Sequence, residues 1–240
     1  MILVKLNLAL LATVALAQDD GTKADDVWHG AAENQQIARS GSERAPDSER
    51  RYDDLKEIAK KVWAKNGLTG KNRFDEKTYW AYGCHCLILG DRPMTEMGKG
   101  SPTDALDNGC KAYKDCQKCV REKHGDACIG EFVRYTWKWS TKENGFVSRD
   151  PEGSCERELY ECDVMMAYNT FNNRAAYSDD YHLFYSTTGF DPESDESCPT
   201  GGSAPVEHMC CGGVNKPYYW MNMNQKECVN GVPQEKSAGN

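Results

Sequence analysis

The stretch SPTDALDNGCKAYKDC, residues 101–116, decides how this chain is read. It opens like a helix start. Ser101 fits the N-cap and Pro102 the first helical position, and Asp104 follows where it can return a hydrogen bond to the cap. Leu106, Cys110, Tyr113, Gln117 and Val120 then share one stripe at about 100° per residue, which puts Tyr113 on the buried face. Lys114 falls on the flank, about 80° from Leu106. Gly125 is the expected stop.

Working outward, a second long helix is predicted from Ser154 to about Asn172. Cys155, Leu159, Cys162 and Met166 form its stripe, with Asp163 on the flank. Cysteines at matching inner positions would cross-link the two helices side by side. Between them, Tyr135 to Trp139 and Thr141 to Ser148 suggest a short hairpin around Glu143-Asn144-Gly145. Upstream, Leu55, Ile58, Val62 and Trp63 give residues 52–66 one apolar helical face, stopped by Asn66-Gly67. Downstream, SDDYHLFYSTTGFDPESDESCPTGGSAP reads as an acidic loop, and CCGGVNKPYYWMNMNQKEC as a compact, aromatic, Cys-tethered piece.

The ends and the composition set the compartment. LNLALLATVALA, residues 6–17, is an apolar run ending in Ala15-Leu16-Ala17, the small-x-small pattern of a signal cleavage site. It is too short for a transmembrane segment, and no later stretch approaches the ~18 apolar residues one needs. The 12 cysteines all lie between residues 84 and 228. In an exported chain they are expected as disulfides. A net charge of −8 argues against nucleic acid as partner. Four parts are expected: a signal peptide (1–17), a disordered polar leader or propeptide (18–51) with a dibasic Arg50-Arg51, a helical domain (52–176), and an acidic loop with a Cys-rich extension (177–240).

Three blocks, YGCHCLILG (82–90), SPTDALDNGCKAYKDC (101–116) and CERELYECD (155–163), together resemble the secreted phospholipase A2 family over roughly residues 53–172. The resemblance implies a mainly α fold with two long antiparallel disulfide-linked helices and a short β-hairpin, here followed by the Cys-rich C-terminal extension. It implies bridges Cys86–Cys110 and Cys116–Cys162, with Cys84 reaching toward the C-terminal region. One family bridge lacks both of its cysteines, the positions being Gly109 and Asn169. The pairing of the other cysteines stays open.

The same resemblance exposes departures. The family's catalytic base is a His, oriented by an Asp of the partner helix. Asp163 matches that Asp, but Tyr113 stands at the base position. A phenol with pKa near 10 is a poor base at neutral pH. The family's cofactor is calcium, held by a glycine loop and by the Asp after the His. Here those positions are the loop following Tyr82, with Leu87 and Leu89 for glycines, and Lys114. Calcium wants oxygen ligands. The resemblance thus implies a protein that kept the scaffold and lost the chemistry, with Lys114 supplying positive charge where calcium would sit. Some venom members of the family also carry Lys there and do not hydrolyse lipid. No cofactor is expected, calcium entering only if turnover survives.

Other features are read plainly. Cys116-x2-Cys119-x4-His124-x3-Cys128 falls one residue short of a zinc knuckle and is read as disulfides. His85, His182 and His208 are read as packing or surface residues. Lys111, Lys114, Lys118, Arg121 and Lys123 are read as a solvated helix face. The functional expectation is a secreted, extracellular, catalytically inactive homologue that binds a phospholipid surface, extracellular matrix or a protein partner. A calcium-dependent phospholipase with an altered site, and a structural or biomineral matrix protein, are the alternatives.

Overall fold

The computed structural model describes residues 53–88, 98–130, 133–201 and 207–236. The signal run, the polar leader and Leu89 lie outside the described residues. Helix α1, Asp53–Lys65, carries Asp53 and Asp54 in its first turn and Lys65 in its last, in the sense its dipole favours. Its face of Leu55, Ile58, Ala59, Val62 and Trp63 is buried. The Asn66 side chain donates to Val62 O at 2.8 Å, and Gly67 takes φ +78°, which ends the helix. Trp63 packs against Phe74, Tyr79 and Phe171 with ring centroids 5.1–5.6 Å apart. A short helix, α2 (Glu76–Tyr79), leads into β1 (Ala81–Tyr82), which pairs with β2 (Cys86–Leu87).

Helix α3 runs Ala105–His124, so it begins later than the sequence suggests. The N-cap is Asp104, whose carboxylate accepts from Asp107 N at 2.9 Å, and not Ser101. Ser101 N is instead held by Pro199 O at 3.2 Å, and Pro102 precedes the helix. The first turn is thereby freed for another purpose, because Asp107 turns its carboxylate back onto residues 84–86. Helix α4, Cys155–Asn173, is capped by Ser154, whose hydroxyl accepts from Arg157 N at 3.2 Å.

Helices α3 and α4 form the centre of the core. Tyr113 meets Asp163, Cys116 bonds Cys162, and Lys123 meets Glu158, so partners descend along α4 as they ascend along α3. Leu106, Val120, Leu159 and Met166 fill the space between at 1% exposure or less. An ideal Cβ on Gly109 would stand 3.1 Å from the Asn169 Cβ, so the two positions of the missing family bridge face each other.

Six disulfides link Cys84–Cys198, Cys86–Cys110, Cys116–Cys162, Cys119–Cys210, Cys128–Cys155 and Cys211–Cys228, and no cysteine is free. Each native bridge of this kind is worth ~2–5 kcal/mol. Cys116, Cys119 and Cys128 are thus committed to three different partners, and His124 Nε2 lies 2.7 Å from Glu158 instead.

Strands β3 (Trp137–Ser140) and β4 (Gly145–Ser148) make the hairpin between the helices, with Asn144 at φ +48° in its turn. Segment 177–201 forms no regular strand but is firmly attached. Tyr181 O accepts from Gly83 N at 2.8 Å, and Leu183 N donates to Ala81 O at 2.9 Å. Two further hairpins close the chain, β5 (His208–Gly213) with β6 (Lys216–Asn222) and β7 (Lys226–Val229) with β8 (Val232–Glu235). Asn230 and Gly231, at φ +53° and +75°, provide the two-residue turn of the last one. Among the described residues no helix is long and apolar enough to cross a membrane.

Candidate functional site

The residues singled out from the sequence converge where α3, α4 and the β1–β2 loop meet. Asp107 is fully buried and anchors the loop. Its carboxylate accepts from the N–H groups of Cys84 (2.9 Å), His85 (2.7 Å), Cys86 (3.2 Å) and Thr103 (3.0 Å). Gly83 is required there, since a Cβ would lie 2.3 Å from the Asp107 carboxyl carbon. Tyr82 donates its hydroxyl to Asp104 and accepts from Ser178 N at 3.2 Å. Burial, then Asp104, raises the Tyr82 phenol far above its ordinary range. Leu87 and Ile88 turn into the core at 6% exposure.

Tyr113 is 0% exposed. Its hydroxyl donates to Asp163 Oδ1 at 2.7 Å and accepts from Gln117 Nε2 at 2.5 Å. The other oxygen of Asp163 accepts from Tyr135 Oη at 2.5 Å. Asp163 is 5% exposed, so the expectation of a flank position is corrected: the short span between the helices draws it inward. Burial, and next the charge of Asp163, lift the Tyr135 phenol well above its usual value. Sequence reasoning missed Tyr135, which lies 28 residues from Asp163 on a connecting segment with no local pattern to mark it.

Lys114 is also buried, at 3% exposure, and not on an open flank. A Cβ built on Gly98 would stand 2.7 Å from Lys114 Nζ, 2.6 Å from Cys84 O and 3.1 Å from His85 Nδ1, so this strand of backbone roofs the amine. Burial brings the Lys114 pKa down to about 7, with Asp107 opposing and Lys118 reinforcing the shift. Burial lowers the His85 pKa as well, with Asp107 opposing it and Lys114 adding to it. His85 Nε2 lies 3.1 Å from Gly100 O.

This arrangement limits the chemistry. The single proton of the Tyr113 hydroxyl is committed to a carboxylate. The hydroxyl oxygen in turn accepts from Gln117, so both the donor and the acceptor side of the phenol are engaged within the core. The buried Lys114 amine is a nitrogen group, whereas calcium takes oxygen ligands. Among the described residues no group of three or more His, Cys, Asp or Glu side chains is placed to hold a metal ion.

Of the remaining histidines, His182 is fully buried and makes a turn, with Nε2 2.8 Å from Lys77 O and Nδ1 accepting from Phe184 N and Tyr185 N. His208 lies edge-on to Trp220 at 4.9 Å. The basic run on α3 is mostly paired: Lys111 with Asp115 (2.6 Å), Arg121 with Asp126 (2.9 Å) and Lys123 with Glu158.

No family model matches the chain. Curated relatives do. The chain is 31% identical over 130 residues to "Phospholipase A2, membrane associated" of Cavia porcellus, covering 54% of this chain and 75% of the relative. It is 34% identical over 115 residues to "Basic phospholipase A2 homolog 2" of Bothrops brazili, covering 45% and 80%. It is 32% identical over 131 residues to "Basic phospholipase A2 homolog acutohaemolysin" of Deinagkistrodon acutus, covering 54% and 80%. The chain belongs to the phospholipase A2 family.

Proposed function

We propose that this chain is a secreted phospholipase A2-like protein that binds phospholipid surfaces and does not hydrolyse them. In this reading Tyr113 and Lys114 occupy the places of the family's His-Asp pair, on the first of two antiparallel helices. Asp163 keeps the place of the orienting Asp on the second. The observation that carries the reading is the buried cluster of Tyr113, Asp163, Tyr135 and Gln117, whose fully buried phenol this reading assigns to the place of the base. The six disulfides favour an oxidising, extracellular location.

A lipid surface is favoured over matrix or a protein partner by segment 181–185. Tyr181, Leu183, Phe184 and Tyr185 are 37–66% exposed in five consecutive positions. Tyrosines beside apolar side chains suit the membrane–water boundary, where one end of the ring is dry and the other wet. Co-sedimentation with phosphatidylcholine vesicles tests this. The mature protein is expected to pellet with lipid that stays chemically intact, and Phe184→Ser is expected to reduce the bound fraction severalfold. Failure to pellet would overturn the lipid reading, and hydrolysed lipid would overturn the inactive one.

A further inference from the structure

A groove of about 310 Å³ opens where the β5–β6 hairpin lies against α3. Helix α3 contributes Glu122 and Lys123, and the hairpin contributes His208, Met209, Tyr218 and Trp220. The Cys119–Cys210 bridge, which also lines it, ties its two walls together. The α3 wall follows Tyr113 and Lys114 on the same helix, whereas the hairpin wall lies beyond the stretch that resembles the family.

Glu122 is the key residue. Its Oε2 lies 3.5 Å from the Sγ of Cys210, a bridged sulfur with no proton to donate. The cations that sequence places near it are engaged elsewhere. Lys118, one turn earlier, stands 4.7 Å over the Trp220 ring and 4.0 Å from Asp115. Lys123 pairs with Glu158 and lies 5.7 Å over the Tyr218 ring, while Arg121 pairs with Asp126. Among the described residues, then, Glu122 is a carboxylate with no counter-cation, set beside two partly exposed aromatic rings.

Aromatic faces with a carboxylate attract a weakly hydrated cation, above all a quaternary ammonium. Lys123, which lines the groove, and Lys118, over the Trp220 ring, are the positive charges at hand for an anionic group. A neutral sugar would leave Glu122 without a cation. A lone carboxylate is too few oxygens for calcium. We propose that this groove binds a phosphocholine zwitterion, the trimethylammonium displacing the ammonium groups of Lys118 and Lys123 from the Trp220 and Tyr218 rings to lie beside Glu122, and those two half-exposed lysines turning to the phosphate. The lipid-surface reading supplies one natural source, a phosphatidylcholine headgroup, and soluble phosphocholine is the other.

Calorimetric titration of the mature protein with soluble phosphocholine tests the groove without a membrane. Saturable binding is expected. Glu122→Gln is expected to weaken it about three- to tenfold, and Trp220→Phe less. Inorganic phosphate should bind more weakly than phosphocholine, and its affinity should be insensitive to Glu122→Gln. Equal affinity for phosphate and phosphocholine, unchanged affinity in Glu122→Gln, or no binding would each overturn the proposal. Vesicle co-sedimentation is run in parallel. Vesicle binding without phosphocholine binding sinks the groove and leaves the lipid reading standing. Phosphocholine binding without vesicle binding supports the groove, sinks the lipid reading and points to the soluble source.

Discussion

The α3–α4 platform and the C-terminal hairpins treat charge in opposite ways. In the platform, Asp107, Glu158 and Asp163 are at most 5% exposed, and each accepts several hydrogen bonds. Their partners are spread over α3, the β1–β2 loop, the 133–137 connection and the hairpin. Where α3 faces the hairpin, Glu122 is exposed and has no counter-cation among the described residues, and Tyr218 and Trp220 are partly open. The lesson is that a buried network in which every carboxylate is hydrogen-bonded stabilises a fold and ties up its acids, the Gln117 carbonyl oxygen being the one buried side-chain acceptor left without a partner among the described residues. Partial exposure and an unmatched charge are what recognition uses.

The contrast is broken most severely by Asp163→Ala. It strands the hydroxyls of Tyr113 and Tyr135 in the core, and a loss of about 3 kcal/mol is expected from denaturant midpoints, against about 1 kcal/mol for Tyr113→Phe. Glu122→Gln, on the hairpin side, should leave the midpoint unchanged within about 0.5 kcal/mol.

A pH effect of comparable size is expected at Lys114. Its folded pKa of about 7 lies far below the ordinary lysine value, so above pH 7 the unfolded chain binds the extra proton. Stability then rises with pH, by about 1 kcal/mol per unit between pH 7 and the ordinary lysine range. Below pH 7 both states are protonated and the slope disappears. At still higher pH the buried phenols Tyr82, Tyr135 and Tyr160, all raised by burial first of all, reverse the trend because they ionise more readily unfolded. Lys114→Met should flatten the rise between pH 7 and 9, read from urea midpoints across that range.

Gly109→Cys with Asn169→Cys should restore a bridge. The ideal Cβ separation of 3.1 Å is slightly shorter than a disulfide prefers, so a small backbone adjustment is needed. A gain of about 2 kcal/mol under oxidising conditions is expected, lost on reduction of that bridge. The smallest effect is local. Glu158→Gln weakens the joint among Lys123, His124 and Tyr218, and should speed amide exchange in β5–β6 with only about 1–2 kcal/mol lost overall.

Periodicity made the platform legible. Leu106, Cys110, Tyr113, Gln117 and Val120 repeat at helical spacing and are all buried. Cysteine positions carried the resemblance to the family, and the bridges Cys86–Cys110 and Cys116–Cys162 are present in the structure. The helix start was ambiguous because Ser101, Thr103 and Asp104 are all competent caps, and only the backbone chooses among them. Lys114 looked exposed because helical angle ignores the loop roofed by Gly98. The last hairpin had a readable sign, Asn-Gly at 230–231 between two valines, which the description of a compact aromatic piece passed over. The groove had no sequence signature, since it needs Cys119–Cys210 to bring residues about ninety positions apart together.

The most direct test of the central claim is fatty-acid release from phosphatidylcholine vesicles by the folded, fully bridged mature protein, across zero to millimolar calcium. The sealed Tyr113–Asp163 pair and the amine of Lys114 predict no release above a heat-denatured control at any calcium concentration. Release that rises with calcium would contradict the account, and would mean that a base other than Tyr113 and oxygen ligands other than those described are at work.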